Sequence, residues 1–159
     1  MEVNVGFENL ISTMVAAACR GDGTAVAACF TPDGVYHDCF YGAFQGAAIV
    51  EMVEQYFHRD ACHFKWDLHA VVDNGHTGYA RYVFSYESRL PGALGKRALF
   101  EGVCICELQG GKIAAYREVA NSAVGLHSLG FEPARIVRRL AREAQALADR
   151  PEAAAHRAG

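Results

Sequence analysis

The chain has 159 residues, 52% of them hydrophobic, and carries a net charge of -3 from 15 basic and 18 acidic residues. That length suits one domain whose core needs neither a metal nor a disulfide to hold it. The balanced charge, with no basic face, argues against nucleic acid or an anionic membrane as partner and ranks small molecules first.

The six cysteines, Cys19, Cys29, Cys39, Cys62, Cys104 and Cys106, form no CxxC pair, and several fall in apolar runs. They read as reduced core thiols of a cytoplasmic protein. The N-terminus lacks a basic n-region and the apolar runs are too short to span a bilayer, so neither secretion nor membrane insertion is expected.

In chain order, Phe7, Leu10, Ile11, Met14, Val15 and Ala18 recur at the spacing of an amphipathic helix, which Arg20-Gly21-Asp22-Gly23 ends. A short second helix fits Thr24 to Phe30, followed by a turn at Thr31-Pro32-Asp33-Gly34. Next comes the stretch GVYHDCF, which sets Tyr36, His37 and Asp38 in an apolar, aromatic run. A third helix, carried by Ile49, Met52, Val53, Tyr56 and Phe57, should reach about His58.

From Phe64 the texture changes to strands: about Phe64 to Val72, Thr77 to Ser88, Arg97 to Leu108 and Lys112 to Val119. The signals between them are Asp73-Asn74-Gly75, Pro91 to Gly95, and Gly110-Gly111. Four strands with short connections read as an antiparallel meander. Helices first and strands afterwards predict an α+β fold, with helices on one face of a curved sheet. Glu132-Pro133 opens a last helix with an apolar stripe of Ile136, Val137, Leu140, Ala144 and Leu147. Its arginines, Arg135, Arg138, Arg139 and Arg142, read as a solvated face. Residues 1–124 form the main domain, 125–150 a helical extension and 151–159 a flexible tail.

Strand parity sorts the polar residues. Tyr82, Phe84 and Tyr86 share one face of their strand, Cys104 shares one with Gly102 and Cys106, and Tyr116 shares one with Glu118. Tyr36 and Asp38 share a face, with His37 opposite. A face mixing aromatics, small residues and a few carboxylates is what a small-molecule pocket needs, so these residues, with Trp66 as a wall, are candidates to line a cavity. The opposite face, with Val103 and Ile105 flanked by charges, suits a subunit interface. The histidines of HRDACHFKWDLH match no metal-ligand spacing, and no metal or cofactor is expected.

A leading helix ending in RGD, then CFTPDGVYHDCF, FQG, FEGVCICELQGGKI and AAYREV resemble the nuclear transport factor 2-like superfamily. The likeness is to its SnoaL-like polyketide cyclase, ketosteroid isomerase and limonene-epoxide hydrolase branches. The resemblance spans about Asn9 to Val124. It implies a cone-shaped half-barrel, a strongly bent, mainly antiparallel sheet wrapped around the N-terminal helices, and a homodimer through the outer sheet face. It puts Asp38 at the isomerases' proton-shuttling position and Tyr36, Asp38 and Glu118 where the hydrolases hold and activate water. Glu118 also lies near the cyclases' acid/base position.

Three departures accompany the resemblance. Met14 replaces the isomerase oxyanion-hole Tyr, and Cys104 replaces its protonated carboxylic acid. Arg81 is followed two positions on by Val83, so the hydrolase Arg-x-Asp pair is unmatched. Neither Met14 nor Cys104 can donate a strong hydrogen bond to an enolate, which argues against steroid isomerisation by the known route.

The functional expectation is general acid/base chemistry by Asp38 and Glu118, assisted by Tyr36, on a hydrophobic carbonyl-type substrate: isomerisation, cyclisation or hydration. His37, Trp66, Tyr82, Phe84, Tyr86, Cys104 and Tyr116 are the candidate substrate contacts. The alternatives are a non-catalytic protein that binds a hydrophobic small molecule, and a structural dimer with a filled barrel.

Overall fold

The computed structural model describes residues 5–157. The start of the expected main domain, residues 1–4, and the end of the expected tail, residues 158–159, lie outside the described residues.

Helix α1 (Val5–Arg20) packs its predicted stripe inward: Phe7, Ile11, Met14, Val15 and Ala18 are all buried. Helix α2 (Gly23–Ala28) follows at once, its N-terminus capped by Asp22, whose Oδ1 accepts from the Ala25 amide at 2.9 Å. Strand β1 (Phe30–Asp38) then starts at Phe30, one residue before the expected turn and at the last residue of the expected second helix. Thr31-Pro32-Asp33-Gly34 is not a free turn but an irregularity inside β1, where pairing with the neighbouring strand shifts register between Phe30 and Val35. A proline is tolerated there because an unpaired position needs no ladder donor.

After Cys39–Tyr41 the chain reverses into β2 (Gly42–Gln45), a strand the sequence pattern did not announce. One helical segment follows: α3 (Ala48–Glu51), a π-helical stretch at Met52–Phe57 and α4 (His58–Asp60). The meander then runs β3 (Ala61–Asp73), β4 (Thr77–Ser88), β5 (Arg97–Gln109) and β6 (Lys112–Ala120), close to the expected limits. The spatial order β2-β1-β6-β5-β4-β3 makes a six-stranded sheet, antiparallel except where β1 runs parallel to β6.

Two bulges bend β3, at Cys62/Lys65 and His69/Val72, and each has a residue in the left-handed region, His63 at φ 49° and Ala70 at φ 52°. Bulges of this kind curl a strand over whatever it covers, here helix α1. The concave face and α1 together bury Tyr36, Tyr82, Tyr116, Ile11, Met14, Met52 and Ile113 in one core.

Helix α5 (Ser122–Ser128) closes one end of the sheet and leads to α6 (Pro133–Ala148). Where a tail was expected, Pro151–Ala153 form a 3₁₀ turn and Ala154–Arg157 the helical turn α7. No described helix is long and apolar enough to cross a membrane.

Candidate active site: a carboxylate pair beneath an aromatic partition

The parallel pairing Tyr36↔Tyr116, continued by two residues, sets Asp38 of β1 beside Glu118 of β6 on the concave face. Their backbones are then about one interstrand spacing, ~4.8 Å, apart. Both carboxylates line one small cavity of about 10 Å³ with Cys39, Phe40, Phe57, Trp66, Tyr82, Phe84 and Phe100. That volume is near the lower limit for a single water molecule.

Glu118 is partly buried, yet its carboxylate is stripped of enough solvent that its pKa rises to about 7. Desolvation is the main cause and the neighbouring Asp38 charge adds to it, while Tyr116, Tyr82 and the Cys39 thiol pull the other way. The Tyr116 hydroxyl donates to Glu118 Oε1 at 2.5 Å.

Asp38 is buried, and its Oδ1 accepts from the amides of Phe40 at 2.8 Å and Tyr41 at 3.0 Å. The side chain thus caps the reversal from β1 into β2, and only Oδ2 is left for other work. Burial raises the Asp38 pKa, but the two amides and the Arg139 charge oppose that rise. The environments therefore divide the pair: Asp38 has charge-stabilising partners at hand, whereas Glu118 is the readier proton carrier near neutral pH.

Three buried donors around this chamber meet no hydrogen-bond partner at good geometry: Tyr36 Oη, Tyr82 Oη and Trp66 Nε1. Tyr36 stacks on Tyr116 with ring centroids 4.5 Å apart, and Trp66 meets Tyr82 and Phe84 edge-on at 5.7 and 5.1 Å. A Cβ on Gly102 would lie 2.5 Å from Tyr82 Oη, so glycine on β5 is what gives that hydroxyl its place. Unpaired buried donors are costly, and such groups repay explanation by ligand or transition-state binding.

The structure does not bring every expected residue here. His37 is exposed on the outer side of β1, as strand alternation requires, and lines neither the chamber nor the pocket above it. Cys104 is buried beneath Glu118, its register partner, and Met14 is core. Arg81 points outward to Glu101 at 3.7 Å. Tyr86 lines a second, larger pocket instead of the chamber.

That pocket, of about 440 Å³, lies on the other side of Phe40, Phe57 and Phe84, which wall both spaces. Tyr41, Asp60, Phe64, Tyr86, Leu126, Leu129 and Phe131 form more of its wall, and Arg135, Arg138, Arg139 and Arg142 of α6 form its roof. The arginines are thus not simply a solvated face. Arg139 is half-buried, Arg135, Arg138 and Arg142 are exposed at the pocket's mouth, and Val137, Leu140 and Leu147 on the other side of the helix are open to solvent at 63%, 42% and 53% exposure. Periodicity fixes the two faces of a helix but not which face meets the body, and no signal in the chain could have decided it.

Glu143 fixes the roof: its Oε1 accepts from Ser122 Oγ at 2.6 Å and from Arg139 Nε at 3.1 Å. This holds the Arg139 guanidinium 4.9 Å above the Phe40 ring.

One further cluster exists among the described residues: Cys62, His63 and Glu87 offer ligand atoms within 4.8 Å of one another. The β3 bulge assembles it at a partly exposed strand edge, with the Arg97 guanidinium bonded to the His63 carbonyl at 3.0 Å.

A family model described as a SnoaL-like domain matches residues 11–116. TsrD from Streptomyces laurentii is similar in structure, with a TM-score of 0.69 and 17% identity over 82% of this chain and 98% of that one. A protein of ketosteroid isomerase-like fold from Catenulispora acidiphila gives 0.69 and 15% over 77% and 93%. An epoxide hydrolase of M. tuberculosis, of the limonene-epoxide hydrolase-like type, gives 0.61 and 15% over 85% and 94%. No match was found among the curated proteins.

Proposed function

The chain belongs to the SnoaL-like domain family, and from that premise we propose that it is a small-molecule enzyme in which Asp38 and Glu118 perform acid/base chemistry. The observation that carries this reading is the pairing of two desolvated carboxylates on adjacent strands in one enclosed chamber, with the Glu118 pKa at about 7.

The substrate is a hydrophobic carbonyl-type compound or an epoxide, its body in the outer pocket and its reactive end served through a single water between the carboxylates, the space there being about that of one water. Asp38 Oδ2 accepts a proton while protonated Glu118 donates one, giving an isomerisation, an intramolecular cyclisation or a water addition. The unspent donors of Tyr36 and Trp66 are available to oxygen atoms that gain charge, and the Tyr82 hydroxyl lies beside Glu118. One positioned acid or base contributes about 10²–10⁴-fold in rate.

The test is turnover of a small panel comprising a β,γ-unsaturated ketone, a linear 1,3-polyketone and a terminal epoxide, with α-proton exchange in D₂O followed by NMR. Asp38→Asn and Glu118→Gln should each lose about 100-fold or more of whatever activity the parent has, with unchanged circular dichroism. Asn at position 38 keeps the oxygen that caps the Phe40 and Tyr41 amides, so the fold survives and the lost proton acceptor is read alone. Full activity in both variants would end this reading.

A second reading is favoured by the tie of Asp38 to the turn amides. In it the carboxylate is architectural and the protein binds a hydrophobic small molecule without converting it. Saturable binding unaffected by Asp38→Asn, with no exchange or product, distinguishes it. In either case we further propose that the protein works as a homodimer through the outer sheet face, and in the cytoplasm, where its six thiols stay reduced.

A further inference from the structure

Helix α6 lies beyond the segment that matches the family model, which ends at Tyr116, so its four arginines are a feature of this chain over and above that match. They crowd over a pocket whose floor is aromatic. Two are already engaged. Arg139 pairs with Glu143 at 3.1 Å, and Arg135 rests over the Phe131 ring at 4.0 Å. Arg138 and Arg142, four residues apart and so on one face, form no ion pair among the described residues.

The acidic side chain in the pocket wall does not neutralise them. Asp60 spends both oxygens on Arg59, at 2.7 and 2.9 Å, and on the Tyr41 hydroxyl at 2.7 Å. The roof is therefore a pair of forked donors with no anion of the protein's own. Beneath it lies apolar surface that would accept a ring system. Guanidinium groups bind carboxylate, sulfonate and phosphate oxygens bidentately, and they do so more strongly where an apolar wall excludes water.

We propose that the outer pocket selects an anionic amphiphile: an apolar, preferably aromatic body against Phe64, Phe84 and Tyr86, with its acidic group held by Arg138 and Arg142. This rests on the small-molecule reading above and names the class of molecule. The mouth of the pocket grips the charge, and the far end of the molecule is directed at the Phe40, Phe57 and Phe84 partition and the carboxylates behind it. An anionic handle at the roof also keeps the acidic end of the molecule away from Asp38 and Glu118, where like charges would repel.

Two fluorescent probes with the same ring system separate charge from bulk: 1-anilinonaphthalene-8-sulfonate and its neutral counterpart N-phenyl-1-naphthylamine. The parent protein should bind the sulfonate about tenfold or more tightly than the neutral probe, and added salt should narrow that ratio. Arg138→Gln with Arg142→Gln should bring the ratio close to one while the neutral probe's affinity stays put, which also reports an intact pocket. Val137→Ser with Leu140→Ser, on the opposite face of α6, should change neither affinity. Asp38→Asn and Glu118→Gln should keep the selectivity, so loss of catalysis and loss of anion recognition are read separately. Equal affinities in the parent, no saturable binding of either probe, selectivity that survives in the double arginine variant, or sulfonate binding abolished by the Val137/Leu140 pair would each overturn the proposal.

Discussion

Glu118 carries the clearest consequence of burial on a single side chain, because its pKa moves from the ordinary 4.5 to about 7. A carboxyl raised on folding binds more protons in the native than in the unfolded state between those two values, so stability must fall as pH rises from about 4.5 to about 7. The cost is fully present above pH 7, absent below the unfolded value, and roughly 3 kcal/mol at most. Asp38, also raised by burial, adds a slope of the same sign. Glu118→Gln removes one ionisation while leaving an oxygen for the Tyr116 hydroxyl. Urea unfolding at pH 5, 6, 7 and 8 should show the variant gaining on the parent as pH rises and exceeding it above pH 7. Parallel profiles would mean that Glu118 ionises freely in the folded protein.

At the scale of elements, the contact between α1 and the sheet hinges on Gly78 in β4. A Cβ there would lie 2.4 Å from Phe7 Cζ, and Phe7 is only 3% exposed. Elsewhere in a strand, replacing glycine by alanine adds packing and removes backbone entropy, but here the ring has to move within a close-packed core. Gly78→Ala should destabilise by about 1–3 kcal/mol, the usual cost of overpacking. Phe7→Leu in the same chain should recover part of it, and a double-mutant cycle in chemical denaturation measures the coupling. Additive effects would show that α1 does not seat on Gly78.

The same elements mark how far the sequence could be read. Strand limits and inward parity were legible because period-2 alternation survives in β4, β5 and β6: Tyr82, Phe84, Cys104 and Tyr116 all face inward. The parallel pairing of β1 with β6, which makes neighbours of Asp38 and Glu118, leaves no local pattern; the family resemblance grouped the two residues in one site without giving that pairing. The Asp38 cap over Phe40 and Tyr41 was a local signal, an Asp ahead of a Cys-Phe-Tyr-Gly reversal, and reading it would have shown that this carboxylate has a second employment. The arginine roof was not legible, since the stripe of α6 is equally regular whichever side meets the protein.

For the whole molecule the open question is what covers the convex face of the sheet. Tyr79, Leu99 and Val119 stand out there at 43%, 52% and 58% exposure. Cross-strand pairing joins Tyr79 to Ile105 and Val103 to Val119, an apolar patch that the Arg81–Glu101 pair separates from Leu99. Single exposed apolar residues are ordinary on a protein surface, but a contiguous set on the outer face of a sheet is a site for association. Dimerisation through a two-fold axis would set the patch against itself and bury on the order of 1,600 Å² in total. Light scattering behind size exclusion should give twice the chain mass at micromolar concentration. Val119→Asp, placing a charge against its own copy across the axis, should raise the dimer dissociation constant by at least about a hundredfold. It should leave the probe selectivity of the arginine-roofed pocket intact, because that pocket opens on the other side of the sheet. A parent protein that stays monomeric at high concentration, or a variant that dimerises as well as the parent, would exclude this face as the interface.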